Sequence, residues 1–186
     1  MASSIGALEE LNREHAVIEP LLERLVEVGE RIKTGEAAEP RTVLLGVGLL
    51  EAYLHRVHAD QLDRELTPEA RTVAMPGCFE HLDQMRTNHQ AMRRHAQDLL
   101  VEIRQWAAGD EFRRTPVGDR LIDLASEDHS AANFEETYPL MCLETVLPEE
   151  SDRQLAARFD RHAGTRGALE ANVARFLADT RRFAAT

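Results

Sequence analysis

The sequence predicts an all-α protein, and three observations carry that prediction. Apolar residues recur at three- and four-residue spacing through four long stretches. Val-rich alternating runs are missing, and aromatics are only 5% of the chain, so no stretch reads as a strand. Proline and glycine fall between the periodic stretches. The expected architecture is an up-down-up-down four-helix bundle over 1–147, formed as a duplicated αα-hairpin. Two extra C-terminal helices make an extension over 148–186, packed on the bundle or at a homodimer contact.

The first helix carries a seam of Leu8, Leu11, His15, Ile18, Leu22, Leu25 and Ile32. The second follows Pro40, a residue suited to a first helical turn. Its seam is Leu44, Val47, Glu51, Leu54, His58, Leu62 (or Gln61) and Glu65, and the pattern stops before Thr67-Pro68. The third begins near Cys78, after Pro76-Gly77, with Leu82, Met85, His89, Met92, Ala96, Leu99 and Ile103 inward. The fourth starts at Thr115-Pro116, a cap and first-turn pair. Its expected seam is Ile122, Ala125, His129, Ala132, Glu136, Leu140 (or Pro139) and Leu143. Beyond Leu147-Pro148, helical stretches over about 149–161 and 166–183 are separated by Gly164 and Gly167. The last carries Leu169, Val173, Phe176, Leu177 and Phe183.

Twenty-two basic and 33 acidic residues leave a net charge of −11, which disfavours nucleic acid and anionic membranes as partners. No run approaches the roughly 20 apolar residues of a membrane span. The N-terminus lacks the basic-then-apolar order of a secretory signal, so a cytoplasmic location is expected. Cys78 and Cys142 form no CxxC pair and read as reduced thiols, one of them buried.

The two halves resemble each other. HADQLDRELTP begins at His58 and HSAANFEETYP at His129, each with a glutamate seven residues on (Glu65, Glu136) and a proline ten residues on (Pro68, Pro139). HAVIEPLLERL from His15 and HQAMRRHAQDL from His89 resemble each other in where the apolar residues fall. Each main helix thus offers one histidine to the core. A ring in an apolar seam is costly unless both nitrogens find partners, and neutral imidazole is the commonest metal ligand. His15, His58, His89 and His129 are therefore the candidate metal or cofactor ligands. His55, one turn before His58, is a weaker candidate. His81, His95 and His162 read as peripheral. Glu19 shares a helix face with His15. Glu65 and Glu136 are candidate ligands or acceptors behind the ligands, with Glu51 a weaker one. Asp63 and Glu135 are expected to face solvent.

E-H-x-x-I-x-x-L-L at Glu14 to Leu22, N-H-x-x-M at Asn88 to Met92 and the two His-to-Pro segments make the chain resemble the hemerythrin-like, HHE cation-binding family over about residues 5–150. The resemblance implies a non-heme iron centre in the bundle core, acting on dioxygen, peroxide or nitric oxide. In the family a glutamate follows the second- and fourth-helix histidines by four residues. Here those positions hold Leu62 and Asn133, which become pocket-lining residues.

Three functions are compatible with this reading. One is a hemerythrin-like iron protein acting as carrier, sensor or oxidoreductase. Another is a repurposed enzyme with a mononuclear metal or heme on the same histidines and an organic substrate. The third is a metal-free helical interaction module with vestigial histidines. No nucleophile motif or phosphate loop points to another enzyme class.

Overall fold

The computed structural model describes residues 6–36, 38–73 and 76–181, and every regular element among them is helical. Helix α1 (Ala7–Lys33) is favoured by Glu9 and Glu10 in its first turn and Arg31 and Lys33 in its last, charges that complement the helix dipole. It ends where Gly35 takes a φ of 82° and the Glu36 N–H closes onto the Arg31 carbonyl, a glycine-dependent C-terminal cap. Helix α2 (Pro40–Leu50) continues without a break into a π-helical stretch, Glu51–His58, then another, Gln61–Leu66, and finally α3 (Thr67–Val73). The expected stop at Thr67-Pro68 does not occur. Pro68 sits where the π-helical stretch passes into α3. Helix α4 (Pro76–Ala107) starts slightly earlier than the sequence suggests. Helix α5 (Arg114–Glu135) passes through a π-helical turn, Glu136–Leu140, into α6 (Met141–Val146). Helices α7 (Glu149–Phe159) and α8 (Ala163–Arg181) complete the described chain. Gly164 and Gly167 lie inside α8 rather than separating two helices, and Phe183 lies outside the described residues.

The most extensive contact joins α1 to α5. It is close because glycines face each other there. A Cβ on Gly29 would lie 2.9 Å from the Gly118 carbonyl oxygen and 2.7 Å from Ile122. Helix α4 packs on α5 and α2, and α1 also meets α2. Helices α7 and α8 both pack against α1, and α8 reaches α2.

The inward stripes of α1 and α4 are those the sequence predicts: His15 and His89 are buried among their seam residues. On α5 the buried stripe is different. It runs Val117, Leu121, Leu124, Asp128, Ala131, Glu135, and His129 is exposed. Neighbouring residues on an α-helix differ by about 100° in direction, so burying Asp128 turns His129 away. The expectation of a fourth inward histidine is not met.

Two apolar clusters result. One includes Ile18, Leu54, Ala96 and Leu124; the other includes Leu11, Leu62, Met85 and Leu140. Along each helix, His15, His58, His89 and Glu135 fall between residues of one cluster and residues of the other. The histidines therefore form a polar layer between two apolar ones. Cys78 and Cys142 are joined in a disulfide with their Cα atoms 6.4 Å apart, linking α4 to α6. The sequence reading of two reduced thiols is corrected, since spacing along the chain says nothing about proximity across 64 residues. Among the described residues, no helix is long and apolar enough to cross a membrane.

Candidate metal centre

Three imidazoles converge on the carboxylate of Glu135. His15 Nε2 and His58 Nε2 each lie 3.1 Å from Glu135 Oε2 and 3.0 Å from each other. His89 Nε2 donates to the other oxygen, Oε1, at 2.7 Å. All four residues are at most 6% exposed. The ring nitrogens that face outward are also engaged. His15 Nδ1 donates to Glu136 Oε1 at 2.8 Å, His58 Nδ1 to Glu14 Oε2 at 2.8 Å, and His89 Nδ1 to Asp63 Oδ1 at 3.1 Å. Each ring is thus fixed by its own carboxylate behind it while its Nε2 points at the Glu135 carboxylate. Metal-binding histidines are commonly oriented in this way.

The electrostatics follow from these contacts. Burial opposes charge on His58, but the hydrogen bonds and charges of Glu135 and Glu14 outweigh it and raise its pKa to about 10. Burial likewise opposes charge on His89, and Asp63 and Glu135 together raise it to about 9. Burial alone would push Glu135 up. Donation from His15, His58 and His89 instead holds it well below the usual carboxylate range.

The donor set fits a transition-metal cation. Imidazole and carboxylate ligands suit iron, zinc or copper. Ligand atoms bound at about 2.0–2.2 Å to one ion lie roughly 2.9–3.5 Å from each other. The nitrogens of His15 and His58 and the oxygen of Glu135 are already at such separations, 3.0–3.1 Å. They form a cluster that could hold a metal ion.

The other residues singled out from the sequence are placed elsewhere. His129, Glu19 and Asn133 are exposed. Leu62 is fully buried in the second apolar cluster. Glu65 pairs with Arg158 and Arg161. Glu51 accepts from Arg56. Glu136 does reach the site, through the Nδ1 of His15. His55 is buried but forms a separate pair, its Nε2 donating to Asp128 Oδ1 at 2.9 Å. His81 stacks beside Tyr138, and His95 donates to Glu127.

Sequence reasoning missed Glu135, Asp63 and Glu14. Two signals were present. The stripe from Val117 to Glu135 has regular four- and three-residue spacing and two acids in an apolar row. Asp63 follows His58 by five residues, a spacing that an α-helical reading turns outward and a π-helical turn brings closer to the same face.

No family model, curated protein or solved structure matches the chain.

Proposed function

We propose that this protein is a divergent hemerythrin-like four-helix bundle that holds non-heme iron on His15, His58 and Glu135, with His89 on the second oxygen of that carboxylate, for chemistry on dioxygen, peroxide or nitric oxide. The observation that carries the reading is the convergence of three Nε2 atoms on one carboxylate, each ring backed by a separate acid. The pairing of α1 with α5 and α2, and of α4 with α5 and α2, supports the up-down-up-down arrangement, with α7 and α8 as the extension. Four acids, Glu14, Asp63, Glu135 and Glu136, supply negative charge around the centre. That charge replaces the glutamates absent at Leu62 and Asn133. Among the described residues the group close enough to share one ion is His15, His58 and Glu135, which favours a mononuclear site over the bridged pair of irons that the family resemblance implies. A heme held between His15 and His58 is disfavoured, because their Nε2 atoms approach to 3.0 Å and leave no space for a macrocycle between them.

Bound iron would supply a redox-active Lewis acid with room for a small ligand. The chain's own residues orient and insulate that centre. Glu14, Asp63 and Glu136 fix the orientation of the rings. The two apolar clusters on either side limit access of water.

The test is anaerobic loading with Fe(II), followed by metal analysis and optical spectra with nitric oxide as probe. Wild-type protein should retain iron stoichiometrically and give a nitrosyl absorption band. Glu135→Ala and His58→Ala should lose both, and His129→Ala should keep both. Retention by Glu135→Ala, or no iron on the wild type, would refute the assignment and favour a metal-free interaction module.

A further inference from the structure

We infer that α8 is a working part of the metal centre, because its Arg166 positions the Glu14–His58 pair. The inference rests on the metal site proposed above and extends it to a helix outside the four main ones. Arg166 is 6% exposed. Its Nη1 donates to Glu14 Oε1 at 3.3 Å, and its Nη2 pairs with Glu10 Oε1 at 2.7 Å. Glu14 is 1% exposed and gives its other oxygen, Oε2, to His58 Nδ1 at 2.8 Å. Gln61, fully buried on the π-helical stretch, donates its amide to Glu14 at 3.0–3.1 Å in the orientation that satisfies both groups.

The chemistry gives these contacts a direction. A buried carboxylate needs compensating charge and filled lone pairs. Arg166 supplies that charge together with a rigid fork of N–H donors. Its guanidinium fork spans Glu10 on one side and Glu14 on the other, so the two acids on α1 are held as a unit. With Oε1 committed to Arg166, Glu14 presents Oε2 to the imidazole. That contact sets the plane of the ring and aims Nε2 at Glu135. Without Arg166, Glu14 would keep Gln61 and His58 as partners but lose its compensating cation, and the orientation it gives His58 would loosen. The same face of α8 also carries Glu170, which accepts from the hydroxyl of the buried Tyr53 at 3.2 Å. Helix α8 is thereby tied to the π-helical stretch that carries His58.

The experiment compares Arg166→Met, Arg166→Lys, Val173→Ala and His58→Ala in the full chain, using Co(II) as the probe. Val173 is buried on the same helix, in the first apolar cluster. Affinity and the visible Co(II) spectrum are measured beside thermal stability. Arg166→Met should weaken Co(II) binding about 10- to 100-fold, the usual effect of losing a group that orients a metal ligand, and should shift the visible bands. Arg166→Lys, which keeps the charge without the fork, should fall between. Val173→Ala should melt earlier yet bind Co(II) with wild-type affinity and spectrum. The inference is overturned if Arg166→Met keeps wild-type affinity and spectrum, or if Val173→Ala reproduces its effects. In either case loss of binding in His58→Ala would leave the metal site itself standing. Failure of the wild type to bind Co(II) would remove the site and this inference together.

Discussion

The Nε2 atoms of His15 and His58 lie 3.0 Å apart although 43 residues separate them in the chain. Two imidazole nitrogens at that distance, facing the same oxygen of Glu135, need either a proton or a metal cation between them. An ion bound at the proposed site would compete with that proton.

In the metal-free protein His58 stays protonated to about 10 and His89 to about 9, against an ordinary value of 6.5. The unfolded chain binds these protons less tightly. Their contribution to stability is therefore complete below about 6.5 and is lost as pH rises through 9 to 10. Urea midpoints measured with chelator should fall across that interval. Metal must displace the same protons, so Co(II) affinity should rise over it. A metal-free midpoint that climbs with pH would contradict the carboxylate contacts assigned to the two rings.

The assignment of Asp128 rather than His129 to the inner stripe of α5 is checked by stability. Asp128 is fully buried on His55, and burial raises its pKa while His55 opposes that rise. Asp128→Ala leaves a buried ring without its partner and should cost about 3 kcal/mol. His129→Ala should change stability by less than about 0.5 kcal/mol. Chemical denaturation of the two variants decides, and the reverse order would mean that α5 is rotated.

The α1–α5 crossing predicts a size limit at Gly29. Its added methyl would meet Ile122 at 2.7 Å and the Gly118 carbonyl at 2.9 Å, an approach that neither helix backbone can relieve locally. Gly29→Ala should destabilise the fold by about 1–3 kcal/mol, despite alanine's better helix propensity. Gly164→Ala, with open space around its Cβ position, should stabilise by up to about 1 kcal/mol. Thermal melts of both variants would show opposite shifts.

The disulfide closes a loop of 64 residues between Cys78 and Cys142. Chain entropy assigns such a closure about 4 kcal/mol. Reductant, or the Cys78→Ser/Cys142→Ser double variant, should lower the urea midpoint accordingly. The loop contains His89 and Glu135, so metal binding to the reduced protein should weaken as the unfolded fraction grows. An unchanged midpoint would mean that the thiols are not bonded.

The helical class and the burial of His15, His58 and His89 were legible because they follow from local periodicity. An apolar seam with a three- and four-residue repeat has one inward face wherever it packs, so the histidines on α1 and α4 land inside. The fourth position failed because the halves of the chain were aligned on histidine. His129 is repeat-related to His58, yet the more continuous apolar stripe on α5 is the one through Leu124 and Ala131. Glu135 ends that stripe. Its burial is affordable only because imidazoles from α1, α4 and the π-helical stretch meet it there.

The sequence by itself determined an all-helical chain, the inward faces of α1 and α4, and histidines placed between apolar residues. Each of these depends on the chain's own period and composition. Tertiary structure decided which carboxylates complete the centre, which of two adjacent stripes on α5 faces inward, and that Cys78 meets Cys142. It also brought Arg166, 152 residues from Glu14, into hydrogen-bond contact with it. The physical reason is that a buried charge acquires its environment from other helices. In addition, the π-helical stretches change the angular register, so that α-helical counting loses the face on which Asp63 and Gln61 lie.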